Sequence, residues 1–176
     1  MEYEKLTVDP KKGYFRVSEL SKKQIEDLSS FQDYILSSHI GLFGGRKQLY
    51  FLKPRLNESL EHLFVVKAIE EYIRKELTPL IELYETRDAD IVCEYYEGEK
   101  LAIEIETGKK LRKNNPRIEK KVKFLNKKYG KNWFFVVTDW KNKRIYKKYG
   151  RTYVRKEVPK VLKNQYFYLG SNYDVC

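Results

Sequence analysis

Apolar positions along this chain follow two periods, and the changes between them mark out its elements. Tyr14–Val17 reads as a short strand after the turn signal Asp9-Pro10-Lys11-Lys12-Gly13. Ile25, Leu28, Phe31 and Ile35 then fall at helical spacing behind Ser21, whose hydroxyl suits a helix cap, so the pattern predicts a helix over 21–38. Gly41-Leu42-Phe43-Gly44-Gly45 breaks the chain, and 47–52 reads as a strand stopped by Pro54. Asn57 or Ser59 caps the next helix, which runs to about Lys75. Its apolar stripe is Leu60, Phe64, Ala68 and Tyr72, widened by Val65, Ile69 and Ile73.

The second half alternates strand and helix. Strands are expected at 80–84, 90–95 and 100–106, the last two joined by a tight turn at Glu97-Gly98. A helix over 117–129 turns Val122, Leu125 and Tyr129 inward and ends at Gly130. Residues 132–138 are almost continuously apolar, which predicts a strand covered on both faces. A basic helix over 141–149, a strand at 152–154 and a short helix at 158–164 follow, and the aromatic tail 165–176 is expected to pack back on the core. A hairpin, a helix and then a buried strand imply an α/β fold, a mixed sheet flanked by helices. Residues 57–176 form this domain, and 1–56 form a small α+β extension. Helix, glycine-rich turn and basic strand in that extension are similar to the end of a winged helix, a degenerate remnant, since only one clear helix is present. An irregular extension is the alternative.

Charge changes the picture more than composition does. The net charge is +11. Residues 107–163 hold 21 lysines and arginines against Glu119, Asp139 and Glu157. Such a local excess points to a polyanion, with a solvated basic surface as the alternative. Two cysteines, Cys93 and Cys176, make no disulfide framework. No apolar run is long enough to span a bilayer, and Met1-Glu2-Tyr3-Glu4-Lys5 lacks a secretory pattern, so a cytoplasmic location is expected. Abundant lysine, glutamate and tyrosine with one methionine hints at a thermophile.

The candidate chemistry lies in the hairpin. Side chains alternate along a strand, so Glu104 and Glu106 share a face. A turn at Glu97-Gly98 sets Asp90, at the start of one strand, beside the end of the next. Three carboxylates brought together repel and raise one another's pKa values, and a divalent metal ion with oxygen ligands compensates them. Lys109 and Lys110 follow directly, placed to hold a phosphate. The alternative is an exposed acidic strand face balanced by nearby lysines.

On these motifs, residues 57–156 resemble the PD-(D/E)XK nuclease superfamily, whose fold is restriction-endonuclease-like. Ala89-Asp90 stands where the family has Pro-Asp, and Glu104-Ile105-Glu106 where it has (Asp/Glu)-x-Lys. Glu61 matches a helix glutamate that many members carry. Leu60-Glu61-His62, Ala89-Asp90-Ile91-Val92 and 103–109 are similar to an archaeal nuclease-like group whose members often follow a winged helix and a Gly-Gly-Arg segment, here Gly44-Gly45-Arg46. The resemblance implies that Asp90, Glu104 and the Ile105 carbonyl bind Mg²⁺ or Mn²⁺, that Glu61 orients a metal-bound water or a second ion, and that a metal-activated water hydrolyses phosphodiester bonds. Glu106 departs from the usual lysine. Lys109, or Lys120 or Lys121 on the following helix, would supply the missing charge. The catalytic set is then Glu61, Asp90, Glu104, Glu106 and Lys109. DNA would be gripped by Lys109, Lys110, Arg112, Lys113, Arg117, Lys120 and Lys121. A homodimer would suit cutting of both strands.

Three residues admit two readings each. His62 either assists the site or is a surface or capping residue. Asp88 rivals Asp90 but precedes the strand, where it reads as a turn residue. Trp133 is expected in the core, and Trp140 is either packed or free to stack on a base. The leading expectation is a metal-dependent DNA endonuclease. The alternatives are a catalytically inactive DNA-binding module that kept the fold, and an RNA- or protein-binding adaptor with a structural acidic face.

Overall fold

The structure is a computed structural model, and it describes residues 7–9, 11–55, 58–78, 80–83, 88–107 and 115–167. The chain divides into two compact units, 1–67 and 68–176. The division falls later than the expected 56/57 boundary, inside a helix.

In the first unit, strand β1 (Tyr14–Arg16), helix α1 (Lys22–Ser30) and strands β2 (Ile35–Ile40) and β3 (Lys47–Leu52) form a three-stranded antiparallel sheet of order β1-β3-β2 with one α-helix. Ser21 caps α1 with a capping box: its hydroxyl accepts from Gln24 N, and Gln24 reaches back to the Ser21 backbone. Phe15, Leu28, Tyr34 and Phe51 make the core under this helix. The expected helix over 21–38 is wrong in its second half. α1 stops at Ser30, and Phe31 is already extended. Residues 35–40 pair with β3 from Ile35↔Leu52 to Ile40↔Lys47. Ile35 fits the helical period only by coincidence, and six ladder pairs outweigh the weak propensity of Ser37 and Ser38 for a helix.

Helix α2 (Leu60–Glu76) carries the division between the units. Its start belongs to the first unit, where the Ser59 hydroxyl accepts from His62 N at 3.2 Å. Phe64 is fully buried there against His39, Tyr14 and Tyr50.

In the second unit, β4 (Ile81–Leu83), β5 (Ile91–Glu94), β6 (Lys100–Glu106), β7 (Trp133–Val137) and β8 (Thr152–Val154) lie in that order. β4, β5 and β6 run antiparallel, and β6, β7 and β8 run parallel. The protein is therefore α/β, with a mixed five-stranded sheet and a separate three-stranded antiparallel one, flanked by helices. The β5–β6 turn holds Glu97 at φ 47° and Gly98 at φ 79°, a pair of left-handed residues that reverses the chain tightly. Helices α3 (Pro116–Tyr129), α4 (Trp140–Tyr146) and α5 (Val158–Leu162) complete the unit, and α5 continues into a π-helical stretch, Lys163–Phe167. α4 is shorter than the expected 141–149.

One sheet face packs under α3 and α4 through Val92, Ala102, Ile118, Leu125, Tyr129, Trp133, Phe135, Val137, Tyr146 and Val154. The other face is apolar too, and its Phe134 meets Tyr153 and Tyr166. β7 is buried along its whole length, as a parallel strand covered on both faces must be. Of the aromatic tail, Tyr166 is buried, and 168–176 lie outside the described residues. No described helix is long and apolar enough to cross a membrane.

Gly150 has a steric reason. A Cβ there would stand 2.6 Å from the Trp133 ring, which is buried and held through its Nε1–H by Asn126 at 2.9 Å. Gly150→Ala should therefore cost about 1–3 kcal/mol in denaturant unfolding, through overpacking rather than backbone strain. A neutral result would mean that the indole yields.

Candidate active site

The site begins with register. β5 pairs with β6 through Ile91↔Ile103, so Asp90, one residue before the strand, comes beside Glu104. Strand alternation puts Glu104 and Glu106 on the face that α3 and α4 cover, with Phe135 and Val137 as their neighbours on β7. The Asp90 carboxylate is tied into the hairpin by the Ile105 backbone N–H, which donates to Oδ2 at 2.6 Å.

Glu104 is the unusual residue. It is 7% exposed, a position where carboxylates are rarely left. Lys121, on α3, meets its Oε1 at 3.0 Å. Oε2 is buried and accepts no hydrogen bond. Burial is the main force pushing the Glu104 carboxyl up to about 8; the negative charge of Asp90 adds to it, and Lys121 opposes it. Glu106, at the strand end, is engaged differently: the Tyr146 hydroxyl on α4 donates to its Oε2 at 2.8 Å. Burial, then the charge and hydrogen bond of Glu106, raises the Tyr146 phenol above its usual value.

Lys121 is aimed by a second set of bonds. Its ammonium also donates to the Asp88 carbonyl at 2.7 Å. Asp88 stands at a bend before β5, as its place suggested, but its side chain does more than turn the chain. It is buried, and its carboxylate accepts from the Tyr129 hydroxyl at 2.6 Å, the Ala89 N–H at 2.8 Å and the Lys128 ammonium. Burial pushes its carboxyl up, but these donors together bring it below the usual aspartate value. Asp88→Ala removes the buried acceptor of the Tyr129 hydroxyl, the Ala89 N–H and the Lys128 ammonium and loosens α3, so a loss of about 2–4 kcal/mol is expected in urea unfolding. A loss under about 0.5 kcal/mol would show that the network is dispensable.

Arg117 and Lys120 are exposed on α3. Lys109, Lys110, Arg112 and Lys113 lie outside the described residues. Glu61 belongs to the first unit, where its Oε2 is 2.9 Å from Nδ1 of the buried His39. His62, half-buried in the first turn of α2, has its Nδ1 3.0 Å from Oε1 of Glu58, just before the helix. Trp133 is in the core, and Trp140 is 54% exposed. Cys93 is buried, which pushes its thiol up to about 12 and makes it inert at neutral pH. Sequence reasoning missed Tyr146 and the bonding of Asp88 to Lys128 and Tyr129, about forty positions later.

Among the described residues, no group of three or more His, Cys, Asp or Glu side chains is arranged to hold a metal ion. Glu106 being tied to Tyr146, a cation here would rest on the Asp90 and Glu104 carboxylates. The orphaned, buried Oε2 of Glu104 and an all-oxygen donor set suit a hard divalent ion. In comparisons with family models, curated proteins and solved structures, none matches the chain.

Proposed function

We propose that the chain is a DNA nuclease of the PD-(D/E)XK type, with a restriction-endonuclease-like core, that hydrolyses phosphodiester bonds with Mg²⁺ or Mn²⁺. The observation that carries this reading is the buried Glu104, with one oxygen on Lys121, the other without a partner, and Asp90 beside it across the hairpin. A carboxylate costs free energy in that position unless something compensates it. Asp90 and Glu104 would hold the ion, with the Ile105 carbonyl as a third oxygen. When bound, a divalent ion supplies charge stabilisation at a phosphate and lowers the pKa of a water.

The chain's own residues take the other roles. Lys121 provides the cation that Glu106 does not, delivered from α3 and fixed by the Asp88 carbonyl. Arg117 and Lys120, exposed on the same helix, meet DNA phosphates, together with Lys109, Lys110, Arg112 and Lys113. The Tyr146 bond to Glu106 favours a second reading: a glutamate held as a structural acceptor fits a DNA-binding module that has lost cleavage.

One experiment separates the two. Supercoiled and linear DNA are incubated with the full chain in Mg²⁺, Mn²⁺ or chelator, beside Asp90→Ala and Glu104→Ala. The nuclease reading expects metal-dependent cleavage, lost by roughly 10³-fold or more in both variants, with DNA binding retained and weakening steeply with salt. Cleavage undiminished in both variants would show the site to be misassigned. Salt-sensitive binding with no cleavage in either metal selects the inactive module.

A further inference from the structure

Among the described aromatic residues of the second unit, Trp140 alone is exposed. Trp133, Phe134, Phe135, Tyr146 and Tyr166 are all buried, whereas the Trp140 indole is 54% exposed. Two ammonium groups lie by its ring: Lys143 Nζ at 4.6 Å from the centroid and Lys156 Nζ at 5.7 Å. They are held differently. Lys143 is clamped by both oxygens of Glu157 at 2.8 and 2.7 Å, and that carboxylate in turn accepts from Val154 N at 2.8 Å. The indole is thus propped against a fixed cation. Lys156 is exposed.

The surroundings are one-sided in charge. Residues 140–160 carry nine lysines and arginines and a single acid, Glu157, which the Lys143 clamp already uses. The nearest other carboxylate in sequence, Asp139, is spent on α4, accepting from Asn142 N at 2.8 Å and Asn142 Nδ2 at 3.2 Å. The place in the fold matters too. Val137, three residues before Trp140, pairs with Glu106, and Tyr146 of the same helix bonds Glu106. The exposed indole therefore stands at the sheet end where the candidate site's carboxylates lie.

We propose that Trp140, with Lys143 and Lys156, is a stacking platform for a base of an unpaired nucleic-acid strand running toward the Asp90–Glu104 site. The proposal deepens the nuclease reading by naming the strand state of the substrate, and it holds whether or not the chain cleaves. A base offers its π-face to an indole only when it is out of a duplex stack, so an exposed ring with ammonium groups over it selects single strands, frayed ends or flaps. Lys143 stiffens the platform through its cation–π contact, and Lys156 meets the phosphate beside the stacked base.

The test reads binding, not cleavage. The full chain is titrated in chelator with oligo(dT), with a blunt duplex of equal length and with heparin, following tryptophan emission. Trp133 is buried, so solvent-exposed emission belongs to Trp140. Oligo(dT) should quench that emission, the duplex and heparin much less. By anisotropy of a labelled oligo(dT), Trp140→Ala should weaken binding roughly 5-fold or more, while Trp140→Phe should retain most of it. Asp90→Ala should quench like the native chain, so loss of cleavage and loss of the platform are read separately. Equal quenching by heparin, absence of quenching, or unchanged oligo(dT) affinity in Trp140→Ala would each overturn the proposal.

Discussion

Glu104→Gln should abolish a loss of stability that the metal-free native chain shows as pH rises from about 5 to about 8. The Glu104 carboxyl is buried and pushed up from 4.5 to about 8, by burial first and the Asp90 charge second. The folded chain therefore keeps this proton at a pH where the unfolded chain has released it. Between those values the unfolded state binds fewer protons, and rising pH favours unfolding. The stability is fully present below about pH 4.5 and is lost by about pH 8. The loss should be on the order of 3–5 kcal/mol, since each unit of displacement corresponds to about 1.4 kcal/mol and the displaced value already includes the opposing pull of Lys121. Urea unfolding in chelator at a series of pH values checks it. Glutamine has no proton to lose, so the variant's curve should be flat in this window apart from other groups. Mg²⁺ should then stabilise the native chain most at the alkaline end, where the carboxylate is ionised, and do little for the variant. Parallel pH curves for the two proteins would mean that Glu104 does not titrate as its surroundings demand.

The elements legible in the sequence were those whose pattern is local. β6 and β8 fall where the alternation and flanking turns put them, and the Glu97-Gly98 reversal sets the register that places Asp90 beside Glu104. β2 was not legible, because Ile35 continues a helical period begun by Ile25, and its true partner is a later strand. Asp88 reads from the sequence as a turn residue and no more, because nothing near it announces Lys128 and Tyr129, which α3 brings back onto it. The same helix return places Lys121 on Glu104. Periodicity showed that α3 had an inward face, but not which of its many lysines would follow that face inside. The candidate site was thus legible as far as it lies on one hairpin, and obscure where it depends on α3 and α4 folding back over the sheet.

Lys121→Met is expected to act on stability and on cleavage, and the two effects should depend differently on Glu104. Removing the ammonium leaves Glu104 Oε1 and the Asp88 carbonyl without their shared donor. A buried carboxylate beside Asp90 with no cation then ionises at a still higher pH. Above about pH 8, where the native Glu104 is ionised, the protein should lose about 1–3 kcal/mol, and the loss should shrink toward neutral and acid pH, where Glu104 carries its proton in either protein. In the Glu104→Gln background the same substitution should cost clearly less, because no buried charge is left unpaired. The double-mutant cycle should therefore give a coupling of about 1 kcal/mol or more. Cleavage should behave otherwise. If Lys121 stands in for the lysine that Glu106 replaces, its loss lowers the Mg²⁺-dependent rate by roughly 10²-fold or more, even at a pH and temperature where the variant is fully folded. Lys121→Arg keeps the charge but not the geometry of the two contacts, so it should recover stability better than rate. Strict additivity in the cycle would remove Lys121 as the counter-ion of Glu104. A folded Lys121→Met protein that cuts at the native rate would remove it from the chemistry.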